Sequence, residues 1–157
     1  MAFSRPRIYL EQLARPMCNR FAAEPTSYDL AIASCNIIYH FADVLAYTRN
    51  LQPHVAAQII AERIPKFETI QALANAGKHV ELRRHRNHAL NGLKAEDLVR
   101  GNAAAFSDGS YFSDGSTFSD MPETVVVTTP DGRLHDVLHT CMEVLVALEE
   151  SDDFLRV

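Results

Sequence analysis

Positive charge is in short supply in this chain. Fifteen Lys and Arg residues stand against twenty Asp and Glu, giving a net charge of -5 at pH 7. A protein that coats nucleic acid through phosphate contacts needs the opposite balance, so any anion-binding surface here must be local. Cysteine is also scarce. Cys18, Cys35 and Cys141 lie far apart in sequence, in apolar surroundings, and form no Cys-x-x-Cys pair. That argues against both a disulfide framework and a zinc knuckle, and buried free thiols in a reducing compartment are the expectation. The first residues, Met1 to Arg7, lead into an amphipathic run, so no signal peptide is expected. No stretch reads as the roughly 20 apolar residues that cross a bilayer, and the expectation is a soluble, cytoplasmic protein without a membrane partner. Catalytic signatures are missing as well. There is no Gly-x-Ser-x-Gly and no Cys beside a basic group, and Ala76-Gly77-Lys78-His79 lacks the rest of a phosphate loop, which leaves a hydrolase or NTPase without support.

What the chain does have is apolar periodicity. At 157 residues and 47% hydrophobic content, residues 1–157 suit one domain with one core. Ile8, Leu10, Leu13, Met17 and Phe21 recur near helical spacing, and Pro16 is expected to split them into two short pieces. Glu24-Pro25-Thr26-Ser27 stops the chain, and Thr26 or Ser27 can cap a helix from Tyr28 to Asn50 whose first turn carries Asp29. Apolar residues cover much of that helix, which makes it the central, mostly buried one. Pro53 opens a further helix with Val55, Ile59, Ile60 and Ile64 on its apolar face, ended by Pro65. Lys66 to about Arg86 continues with Phe67, Ile70, Leu73 and Ala74. Gly77 inside it costs about 1 kcal/mol relative to Ala and admits close approach of a neighbouring backbone.

After Asn91-Gly92 the character changes. A six-residue Phe-Ser-Asp-Gly-type repeat fills 106–120, a string of turn formers whose Asp residues lack the density of a calcium loop. Thr124 to Thr129 is a β-branched strand closed by Pro130-Asp131-Gly132, expected to pair within Val99 to Phe118. Leu134 to Glu150 is a core-facing helix. The fold class is therefore mainly α: a helical bundle of about four to five helices, with a small β-hairpin or meander inserted at 100–130 before the C-terminal helix.

Candidate function rests on two polar stripes. Asn36, His40, Asp43 and Tyr47 follow one another at offsets of four, three and four on the central helix, and Asn75, His79 and Arg83 repeat every four on a later one, with Lys78 alongside. A buried polar group without a partner costs on the order of 1–3 kcal/mol, so the stripes should face each other. His40, Asp43, Asn75, Lys78 and His79 form the candidate binding cluster, with His40 and Asp43 expected against Lys78 or His79. The competing account is structural: a His–Asp pair that satisfies itself, or two solvated faces. No Glu-x-x-His completes a metal site around His40 and Asp43, and Arg neighbours of His85 and His88 repel cations, so neither metal nor cofactor is expected.

The run Ala33-Ser34-Cys35-Asn36-Ile37-Ile38-Tyr39-His40-Phe41-Ala42-Asp43, the later Asn75-Ala76-Gly77-Lys78-His79, and the Ser-Asp-Gly-rich insertion before a strand and final helix resemble a group of bacterial and phage helical proteins of unassigned function. That group has His-x-x-Asp and Asn-x-x-Lys-His helices and is similar to HEPN-type bundles, and the resemblance covers roughly residues 25–148. In many HEPN domains an Arg-x(4–6)-His motif cleaves RNA without metal. The resemblance places that motif at Arg49/His54, Arg83/His88 or Arg133/His139, and twelve Arg with seven His produce about one or two such matches by chance. Arg133/His139 has the better position, Arg83/His88 the more basic surroundings. Three readings follow. The first is a binding or accessory module, forming a homodimer or meeting a protein or RNA partner, in a defence or mobile-element setting. The second is an HEPN-like endoribonuclease with Arg83 and His88, or Arg133 and His139, as catalytic residues. The third is a structural phage or mobile-element protein.

Overall fold

The computed structural model describes residues 5–78, 88–101 and 123–156. The repeat at 106–120, the continuation of the helix beyond Lys78, and His79 and Arg83 fall outside the described residues, as does the side chain of His88. The chain opens with α1 (Pro6–Tyr9), a π-helical turn (Leu10–Ala14) and α2 (Arg15–Ala23). The expected break at Pro16 does not occur. The helix instead widens one turn ahead of the proline, the Arg15 N–H reaching the Leu10 carbonyl five residues back. Proline removes a donor and crowds the carbonyl four residues before it, and a π turn accommodates both without ending the helix.

Ser27 caps α3 (Tyr28–Arg49), its Oγ accepting from the Leu30 N–H at 3.3 Å, with Asp29 in the first turn. Asn50, left-handed at φ 53°, closes the helix. α4 (Pro53–Arg63) starts on proline, and α5 (Phe67–Lys78) follows Pro65. α3 packs against α2, α4, α5 and α6 (Val137–Glu150). Ala31, Cys35, Ile38, Phe41 and Leu45 on α3 have no exposed surface, nor do Ile60, Phe67, Ile70, Leu73, Val144 and Leu145 around it. Each large side chain buried in this way contributes about 1.5–3 kcal/mol. By length and composition alone α3 passes as a membrane span, with a mean hydropathy of 1.3 over its most apolar window, which the sequence reading did not anticipate. Half of that window is buried by the other helices, as a core helix requires.

The sheet is antiparallel in the order β1 (Leu98–Gly101), β2 (Thr124–Thr128), β3 (Leu134–Asp136). Val126 is paired to Val99 on one side and to Asp136 on the other. Residues 134–136, expected to begin the final helix, are thus strand. Asp136 makes the switch: its carboxylate accepts the His139 N–H at 2.9 Å, capping α6, and also the Thr124 hydroxyl of β2 at 3.1 Å. The sheet is held to the start of α3 by the Val125 N–H on the Pro25 carbonyl at 2.9 Å and by the Arg100 guanidinium over the Tyr28 ring. A last turn, α7 (Asp152–Leu155), buries Phe154 under the Arg63 guanidinium, while Arg63 and Arg49 bind Asp153.

Candidate functional site

Of the α3 stripe, Asn36 turns back on its own helix, its amide donating to the Ile32 carbonyl at 2.9 Å while its Oδ1 is buried without a partner. His40 and Asp43 do find each other, with Nδ1 and Oδ2 2.7 Å apart, but at the surface: the two side chains are 49% and 55% exposed. Tyr47 lies further out still, at 76%. From His40 to Tyr47 the stripe is a solvated face, and the buried-stripe expectation is corrected there. A helix as long as α3 can be central and still leave one side bare.

The chemistry of the pair is nonetheless defined. A carboxylate can only accept, so the His40 ring proton sits on Nδ1 toward Asp43, and Nε2 is left unused by the pair.

α5 brings the second half of the site to the same place. Gly77 is what allows the approach: a Cβ there would stand 2.9 Å from Ile32 Cγ2 on α3. The close neighbour is a side chain rather than the expected backbone. One residue on, the Lys78 ammonium lies 5.8 Å from the centre of the Tyr39 ring. The His40 ring is 6.1 Å from that same ring, which tilts against Phe67 and whose hydroxyl accepts a 3.5 Å hydrogen bond from the Gln71 amide. No ion pair within 4 Å joins Lys78 to Asp43; the two candidate groups meet through Tyr39 instead. Asn75 is half-buried on the same helix. Sequence reasoning passed over Tyr39, because an aromatic amid apolar residues on a helix reads as core. It also passed over Tyr9, whose hydroxyl donates to the Ile37 carbonyl at 2.8 Å. Burial, with Asp43 adding to it, pushes that phenol up to about 12.

The ribonuclease candidates are placed differently. Arg133, 80% exposed in the β2–β3 turn, pairs with Asp131 at 3.5 Å, whereas His139 on α6 pairs through Nε2 with Glu143 at 3.4 Å, a carboxylate it shares with Lys66. Each is turned to its own acid. Arg49 of the first match is taken up by Asp153 at the C-terminus, and its companion His54 is exposed on α4. For the second match only the backbone of His88, in a 3-10 turn, is described. Among the described residues no group of three or more His, Cys, Asp or Glu side chains is placed to hold a metal ion.

Comparison with protein-family models, with curated proteins and with solved structures finds no match.

Proposed function

We propose that the protein is a helical binding or accessory module whose α3–α5 face, built on Tyr39 and flanked by His40, Asp43 and Lys78, takes an anionic partner. The observation that carries this reading is the gathering of Lys78 and His40, from two helices, around one partly exposed aromatic ring. Stability is a weak reason for the arrangement, since a half-exposed ion pair contributes at most about 1 kcal/mol. Recognition is a better one, because an ammonium held by an aromatic face suits a negatively charged oxygen. The sequence directly beyond Lys78 adds to the charge: residues 79–88 contain three Arg and three His, a local basic run in an acidic chain.

A fluorescent single-stranded RNA and a labelled poly-glutamate peptide test the reading by anisotropy at low salt. Binding of one probe, weakened about tenfold or more by Lys78→Glu and progressively by salt, supports it. Indifference to both probes at tens of micromolar would leave a structural role. RNA that is shortened in the presence of chelator would replace binding by the metal-independent endoribonuclease reading. Loss of cleavage in His139→Ala or in His88→Ala would then assign its base.

A further inference from the structure

We propose that Cys35 and Cys141 are an oxidisable pair that hydrogen peroxide converts to an intramolecular disulfide, tying α3 to α6. The two sulfurs are 3.7 Å apart although the residues are 106 positions apart in the chain, and neither residue has exposed surface. They lie in the packed interface between the two helices that form the middle of the core. A disulfide needs sulfurs about 2.0 Å apart, so the pair must close by under about 2 Å. Cys18 completes the neighbourhood from α2 and is also buried, beside the Ser34 hydroxyl, which has no oxygen or nitrogen partner. The inner side of α3 therefore gathers three thiols and one hydroxyl without an oxygen or nitrogen partner into a region otherwise made of apolar groups.

The chemistry balances with peroxide as the two-electron oxidant. One thiol, as thiolate, attacks a peroxide oxygen; the O–O bond breaks, and the products are a sulfenic acid and hydroxide, which takes up the proton the thiol released and becomes water. The second sulfur then attacks the sulfenic sulfur, forming the S–S bond and releasing the hydroxyl as a second water. Peroxide is small enough to enter through transient helix opening. Burial pushes the Cys18 thiol up to about 11, and the hydrogen-bonded contact with Cys35 together with burial holds Cys141 well above the ordinary thiol range. Thiolate is therefore scarce and the conversion is slow, over minutes to hours, rather than that of a fast sensor.

The test uses the full chain in native buffer. The protein is incubated with peroxide, quenched with catalase, denatured, alkylated with N-ethylmaleimide and weighed. Three alkylated cysteines before treatment and one after, a linked peptide pair containing Cys35 and Cys141, and recovery of all three with dithiothreitol are the expected results. Cys18→Ala should form the same link, and Cys141→Ala should form none. The cross-linked protein should melt roughly 5–15 °C higher, as closure of so long a loop implies. Three alkylated cysteines after treatment, a bond that involves Cys18 or a second chain, or a link that forms only in denaturant would overturn the proposal.

Discussion

The inward and outward sides of α3 follow opposite rules within the same 22 residues. Inward, Ala31, Cys35, Ile38, Phe41 and Leu45 have no exposed surface, and the polar atoms among them are left poor: the Ser34 hydroxyl finds no oxygen or nitrogen partner. Outward, Asp43 and His40 are half-exposed and fully engaged with each other. What differs is the cost of an error. A missing methylene or an extra one is felt at once inside, where neighbours are close-packed, whereas water compensates for a lost partner outside. Function can be carried on the second side because stability is carried on the first.

The largest expected effect breaks the inward side. Phe41→Ala empties a fully buried position against Tyr9, 6.3 Å away between ring centres, and should cost about 3–5 kcal/mol in denaturant unfolding. A loss below about 1 kcal/mol would mean that α3 is not the centre of the core. The boundary between the two sides comes next. Gly77→Ala places a methyl 2.9 Å from Ile32 Cγ2, an overpacking cost of about 1–3 kcal/mol, set against about 1 kcal/mol of gained helix propensity. A net loss of about 1 kcal/mol is expected, and it should be relieved in Ile32→Ala/Gly77→Ala relative to the sum of the single changes. Additive effects would show that α5 does not approach α3 there.

A smaller effect, read as a pH dependence, lies on β3. His135, partly buried opposite Val127, is held below the ordinary imidazole range by desolvation, with Lys66 and Arg133 adding to the depression and Asp131 opposing it. The unfolded chain binds the proton more readily. The stabilising contribution is therefore complete above the unfolded value near 6.5 and is lost as pH falls through the window between that value and the lower folded one. The melting temperature of the wild type should fall more steeply from pH 7.5 to 5 than that of His135→Gln. Parallel curves would remove His135 from the acid response.

Much of the scaffold was legible for local reasons. Ser27 and Asp29 mark the start of α3 because capping and charge at a helix N-terminus act within one turn, and Pro130-Asp131-Gly132 marks the hairpin because Gly132 takes a positive φ of 83°. The misreadings arose where one residue had two local solutions. Pro16 could end a helix or be absorbed by a π turn, and Leu134 fits the apolar pattern of α6 as well as a strand opposite Thr128. The site was half legible. The His40–Asp43 spacing is a property of one helix, whereas the meeting of Lys78 with Tyr39, like that of Cys35 with Cys141, depends on how separate helices pack. Spacing along the chain carries no record of that.

His40→Ala is the smallest perturbation and the sharpest test of the contrast. Had the pair been interior, deleting the imidazole would have stranded a buried carboxylate at a cost on the order of 1–3 kcal/mol. With both side chains about half-exposed, water replaces the lost partner of Asp43, and the expected change in unfolding free energy is within about 0.5 kcal/mol. Alanine also favours the helix slightly more than histidine does, which offsets part of the loss. The same variant should weaken capture of the anionic probe, because it leaves the Asp43 carboxylate without its partner on that face, and a bare negative charge repels an anion. Lys78→Ala is its companion, removing the ammonium from the other helix while leaving the His40–Asp43 pair intact. A His40→Ala protein that melts like the wild type and binds less tightly places this face with recognition. One that loses more than about 1 kcal/mol and binds unchanged places it with the scaffold, and the proposed binding face then falls.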